Sequence, residues 1–119
     1  MKFKFIISPH EHEPGTVFKD AVCHGVYIEV GDDVTFDWFQ EHELEGNGYT
    51  VLALIDSLCR SDLKDDLKKY KMEAEADNAW VYGRDKDAID RLIKKFMEAT
   101  KTEAGVQLLI KNASKKLLE

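Results

Sequence analysis

Positive charge is missing from the stretch Asp32 to Tyr49, DDVTFDWFQEHELEGNGY, where six carboxylates meet no lysine or arginine. That absence argues against the segment as a phosphate-contacting surface, which needs clustered Lys and Arg. Long hydrophobic runs are missing too: no apolar stretch of the 119 residues approaches the ~20 that a membrane helix needs. Cysteine is scarce, and the two present, Cys23 and Cys59, match no metal or disulfide framework. Both fall among apolar neighbours, which predicts reduced, buried thiols. There is no internal repeat and no low-complexity linker, and the length allows one core but not two ordinary domains. Met1 to Ile7 opens like a signal peptide, but its apolar run ends at Ser8-Pro9, so a cytoplasmic protein is expected.

What is present is a soluble composition, 44% apolar and 34% charged, with a lopsided distribution of charge. Residues 1–46 carry 10 acids against 3 bases, and residues 47–119 carry 13 acids against 14 bases. The net charge of −6 therefore resides in the first part of the chain. The paired lysines Lys68-Lys69, Lys94-Lys95 and Lys115-Lys116 each fall near a predicted helix end, where they complement the helix dipole. Direct contact with nucleic acid is not expected from this balance.

The hydrophobic pattern predicts one α+β domain, an antiparallel sheet packed by about four helices. Lys2 to Ser8 reads as a strand entering a core. Pro9 to Gly15 reads as a loop and Thr16 to Cys23 as a second strand. Val26-Tyr27-Ile28-Glu29-Val30 reads as a third, with Val26, Ile28 and Val30 on one face. Thr35 is expected to cap a short helix ended by Gly46. Val51 to Cys59 is apolar on nearly every side and predicts a buried helix, followed by a charged helical extension over Asp62 to Lys69. Lys71 to Ala76 and Ala79 to Tyr82 flank the turn pair Asp77-Asn78 as a hairpin. Asp85 and Thr102 are expected to cap two final helices. Their inward residues are Ala88, Ile89, Leu92, Ile93 and Phe96 in the first, then Val106, Leu109, Ile110, Ala113 and Leu117 in the second.

Catalytic patterns are absent. Cys23-His24 cannot form a nucleophile pair, because neighbours on a strand point to opposite faces. Ser57 and Ser61 lack a glycine elbow, and Gly46-x-Gly48 is too short for a phosphate loop. His10-Glu11-His12-Glu13 offers the alternative reading of a small metal- or ligand-binding domain, since an extended segment would aim both imidazoles to one side. Pro9 and Pro14 argue for an irregular loop there, and no third ligand stands at motif spacing. Neither an enzyme nor a cofactor is expected.

The acidic segment suits a surface that meets a basic partner. Its candidate partner-binding residues are Asp33, Asp37, Trp38, Glu41, Glu43, Glu45 and Tyr49. A helix that buries Phe36 and Phe39 turns Trp38 outward by about 100–200°, and an exposed Trp among carboxylates would anchor an interface.

Several segments carry a resemblance to a known family. They are the opening strand Phe5-Ile6-Ile7-Ser8, the acidic loop ending Glu13-Pro14-Gly15-Thr16, and the pentad Glu45-Gly46-Asn47-Gly48-Tyr49 leading into the apolar helix. The Ala79–Tyr82 strand and the helix opening Asp85-Lys86-Asp87-Ala88 complete the set. Together they resemble the Immunity protein 51 family of bacterial polymorphic toxin systems. The chain departs from that pattern at Thr50-Val51, where an aspartate-tryptophan pair is common, and matches loosely over residues 16–31. The resemblance implies stoichiometric, non-catalytic inhibition of a cognate toxin domain, often a nuclease, and names no contact residues.

Overall fold

The computed structural model describes residues 1–118. Its sheet begins with β1, Phe5–His12, and β2, Cys23–Val30, which pair antiparallel with Phe5 opposite Val30 and His12 opposite Cys23. Two helices follow, α1 over Asp33–Glu41 and α2 over Gly48–Asp62. The chain then makes a 3-10 turn at Leu67–Lys69 and enters the hairpin of β3, Lys71–Ala74, and β4, Asn78–Gly83. Helices α3, Lys86–Ala99, α4, Glu103–Asn112, and the short α5, Lys115–Leu118, complete the α+β fold. The four strands run in the order β1-β2-β4-β3, antiparallel throughout.

Period-two alternation sorts the strand residues between a helix-covered face and an open one. Val26, Ile28, Ala79 and Val81 are fully buried, and they lie under α2 and α3. Helix α2 is the central element, with Val51, Ala53, Leu54, Ile55, Leu58 and Cys59 all at 0% exposure, as its all-round apolarity predicts. Both cysteines are free and buried, and burial pushes the Cys59 thiol up to about 12.

Five sequence expectations need correction. The strand β1 does not stop at Ser8 but runs on through Pro9 to His12. It is an edge strand, where proline is tolerated because no neighbour needs its missing N–H. The expected strand over Thr16 to Cys23 is not formed: Thr16 to Val22 is a loop, and Cys23 opens β2. The segment loops back on itself, with Gly15 N–H donating to Phe18 O at 2.6 Å, and buries Phe18 near the Tyr82 ring. Asp32, not Thr35, caps α1, and the helix ends at Glu41 rather than at Gly46. The extension over Asp62–Lys69 is not one helix: Asp62 closes α2, and beyond it only Leu67–Lys69 is helical, as a 3-10 turn. The last helix breaks at Ala113, whose backbone is extended, so Leu117 belongs to the separate α5.

Candidate partner-binding surface

Helix α1 starts where the Asp32 side chain accepts the Thr35 backbone N–H at 2.8 Å. Hydrogen bonds from the Thr35 side chain and backbone hold the Asp32 carboxyl below the usual range, with the Lys4 charge helping. Thr35 itself is buried, and its Oγ1 accepts the Lys4 N–H at 2.8 Å, which pins the start of β1 to the helix. That phase sends Thr35, Trp38 and Phe39 inward. It leaves Asp33, Asp37 and Glu41 exposed in one row at four-residue spacing. Beside the row stand two exposed apolar side chains, Val34 at 61% and Phe36 at 40%.

The connection to α2 continues the acidic surface. Glu43 takes a positive φ of 62°, and both it and Glu45 are exposed. Gln40 Nε2 holds this turn by donating to the Glu45 carbonyl at 2.8 Å. Gly46 has φ 74° and donates its N–H to Thr50 Oγ1 at 3.0 Å. Asn47 then caps α2, accepting the N–H groups of Tyr49 and Thr50. A Cβ on Gly48 would collide with the carbonyl oxygens of Glu75 and Asn78, so the pentad docks the helix onto the β3–β4 turn. Tyr49 is left half exposed on the first turn of α2.

A cleft of about 380 Å³ joins α1 to the end of the sheet. Glu29, Asp32, Asp33 and Asp77 line it, with Phe36 and Gly46 at one wall and no basic side chain in its lining. Among the described residues, none of the carboxylates from Glu29 to Glu45 forms an ion pair; all the intramolecular pairs lie elsewhere. Unopposed carboxylates around an exposed aromatic ring can receive lysine or arginine side chains.

Trp38 does not belong to this surface. It is only 6% exposed, packs edge-on against Phe3 at 4.9 Å, and stacks on His42 at 3.8 Å. Its indole N–H donates to Glu103 Oε1 of α4 at 2.9 Å. The expectation that it anchors an interface fails because the helix buries the Thr35, Trp38 and Phe39 stripe and turns Phe36 outward instead. The remaining expected residues, Asp33, Asp37, Glu41, Glu43, Glu45 and Tyr49, are all at the surface.

The open sheet face carries an aromatic array that the sequence reading passed over. Tyr27 and Trp80 stack at 5.6 Å, and Trp80 and Tyr82 lie 4.3 Å apart. Their signal was the second phase of the same alternation that marks Val26, Ile28, Ala79 and Val81 as core. His10 joins this array, stacked on Tyr27 at 4.6 Å, and sits over Gly25, where a Cβ would strike its ring. His10 and His12 do share one side, with ring centroids 4.9 Å apart, but the His10 Nε2 accepts the Trp80 indole N–H at 2.9 Å. Burial lowers the His10 pKa, against an opposing contribution from the Ser8 backbone. Among the described residues, no group of three or more His, Cys, Asp or Glu is placed to hold a metal ion.

No helix in the described residues is long and apolar enough to cross a membrane. Compared with protein-family models, curated proteins and solved structures, the chain gives no match in any of the three.

Proposed function

We propose that this chain is an immunity-type inhibitor that binds a cognate toxin domain one to one, in the cytoplasm, and blocks it without turnover. The toxin expected on charge grounds is a basic one, such as a nuclease. The observation that carries this reading is the run of exposed, unpaired carboxylates along α1 and its following turn, set around Phe36, Val34 and Tyr49. Such a surface would compete with phosphate for a basic active site and would steer encounter over about a Debye length, ~8 Å at physiological salt. The resemblance to immunity proteins supports the same reading from the sequence side.

The test is co-expression with the product of the adjacent upstream gene, where a toxin's gene would stand. Rescue of growth, a one-to-one complex on size exclusion, and an association rate that falls as salt rises are the expected results. An upstream product that is harmless, or a complex whose association is flat across ionic strength, would sink the proposal.

A further inference from the structure

A second surface, of opposite charge, lies along the free edge of β1. Among the described residues, no strand pairs with the outer side of β1. Gly31 N–H donates to Lys4 O, so residues in phase with Lys4 turn their backbone groups toward β2. Phe5, Ile7 and Pro9 are in the opposite phase and turn theirs outward. The position of Pro9 agrees, since its missing N–H falls where no strand needs it. Beside this edge runs a groove of about 500 Å³, floored by Phe5, Ile7 and the 57% exposed Met97 of α3. Lys2, Lys4, Lys94 and Lys101 border it against one carboxylate, Glu98. Among the described residues, none of these four lysines has an ion-pair partner.

We propose that the groove and the open β1 edge together form a docking site for an extended acidic peptide segment. The segment adds as a strand along Phe5 to Ile7. It sets alternate apolar side chains on Phe5, Ile7 and Met97, and places its carboxylates among the lysines. Backbone groups of Phe5 and Ile7 supply the hydrogen bonds, and Pro9 limits the register because it cannot donate. A second copy of this chain fits poorly, because pairing two β1 edges would bring two lysine borders together. The site is independent of the acidic α1 surface and of the inhibitor reading.

Two capped peptides test it, both apolar at every second position, one with glutamate and the other with lysine between. Amide NMR should show the glutamate peptide shifting and protecting the Phe5 and Ile7 amides. Its affinity should exceed that of the lysine peptide by about tenfold or more. The double variant Lys94→Glu, Lys101→Glu, both at exposed positions, should weaken it by a similar factor, with only a small loss of melting temperature from reversing charge near the end of α3. Equal binding of both peptides, or binding indifferent to the double variant, overturns the proposal. So does dodecanoate filling the groove while neither peptide protects those amides, which would make it a lipid-carboxylate site. Concentration-dependent dimerisation that buries the same amides would assign the edge to a second copy and overturn it as well.

Discussion

Trp38 and Glu103, 65 positions apart in the chain, are joined by a 2.9 Å hydrogen bond from the indole N–H to the carboxylate, which ties α1 to α4. The bond satisfies the one polar group of a ring that Phe3 and His42 otherwise enclose. Trp38→Ala should therefore cost about 3–5 kcal/mol of folding stability. Glu103→Ala, which removes the acceptor and a carboxylate from the first turn of α4, should cost about 1–2 kcal/mol. Urea denaturation of both variants checks the pair; a Trp38→Ala protein as stable as the wild type would contradict the burial.

Gly48 and Tyr49, adjacent in the pentad, should respond in opposite ways. Gly48→Ala forces a Cβ into the carbonyl oxygens of Glu75 and Asn78, which are backbone atoms and cannot yield cheaply. A loss of roughly 3 kcal/mol or more is expected. Tyr49→Ala removes a half-exposed ring and should stay within about 0.5 kcal/mol. Melting temperatures measured side by side decide whether the pentad holds the fold or serves only the surface.

The sequence made some of this legible and hid the rest for physical reasons. Helices α3 and α4 were read from their Asp85 and Thr102 caps because a side-chain cap is a local event, and both caps are present. The orientation of α1 is not legible because Phe36 with Phe39, and Thr35 with Trp38 and Phe39, are both stripes at helical spacing. What decides it is a long-range contact, the Lys4 N–H on Thr35 Oγ1, which no local pattern encodes. The Thr16–Val22 loop resembled a strand because its β-formers Val17 and Phe18 are indifferent to whether a partner strand exists. The exposed carboxylates were found correctly because charge exposure needs no tertiary information. Their company changed: Phe36 stands with them and Trp38 does not.

Asp66 offers a pH signature. The Arg91 guanidinium donates to both its carboxylate oxygens, at 2.7 and 2.8 Å, and this pairing, with Lys69 adding, holds its pKa down to about 2. A carboxyl whose folded pKa lies below its unfolded value of ~3.9 stabilises the fold at higher pH and loses that contribution as pH falls. Arg91 is half exposed, so after solvent screening about 1 kcal/mol is expected. The stability gap between wild type and Asp66→Asn should be constant above about pH 5 and close between about pH 4 and pH 2. A gap that persists unchanged at pH 2 would show that the ion pair is not its source.

Asp33, Asp37 and Glu41 form a row of like charges at helical contact spacing, which is unfavourable for the free protein. Two such i,i+4 repulsions, each roughly 0.2–0.5 kcal/mol, meet at Asp37. Asp37→Lys would turn both into attractions and put a better helix former at an exposed site. The folded state should gain roughly 0.5–1 kcal/mol at low salt, and the gain should shrink as salt screens it. If the row meets a basic partner, the same change should slow association several-fold, with a smaller effect on dissociation. Stability and association rate, both followed against ionic strength, separate the two roles. Gain of stability with loss of association marks a charge row held for binding at the expense of the fold, whereas gain of stability with association untouched would place the binding surface elsewhere.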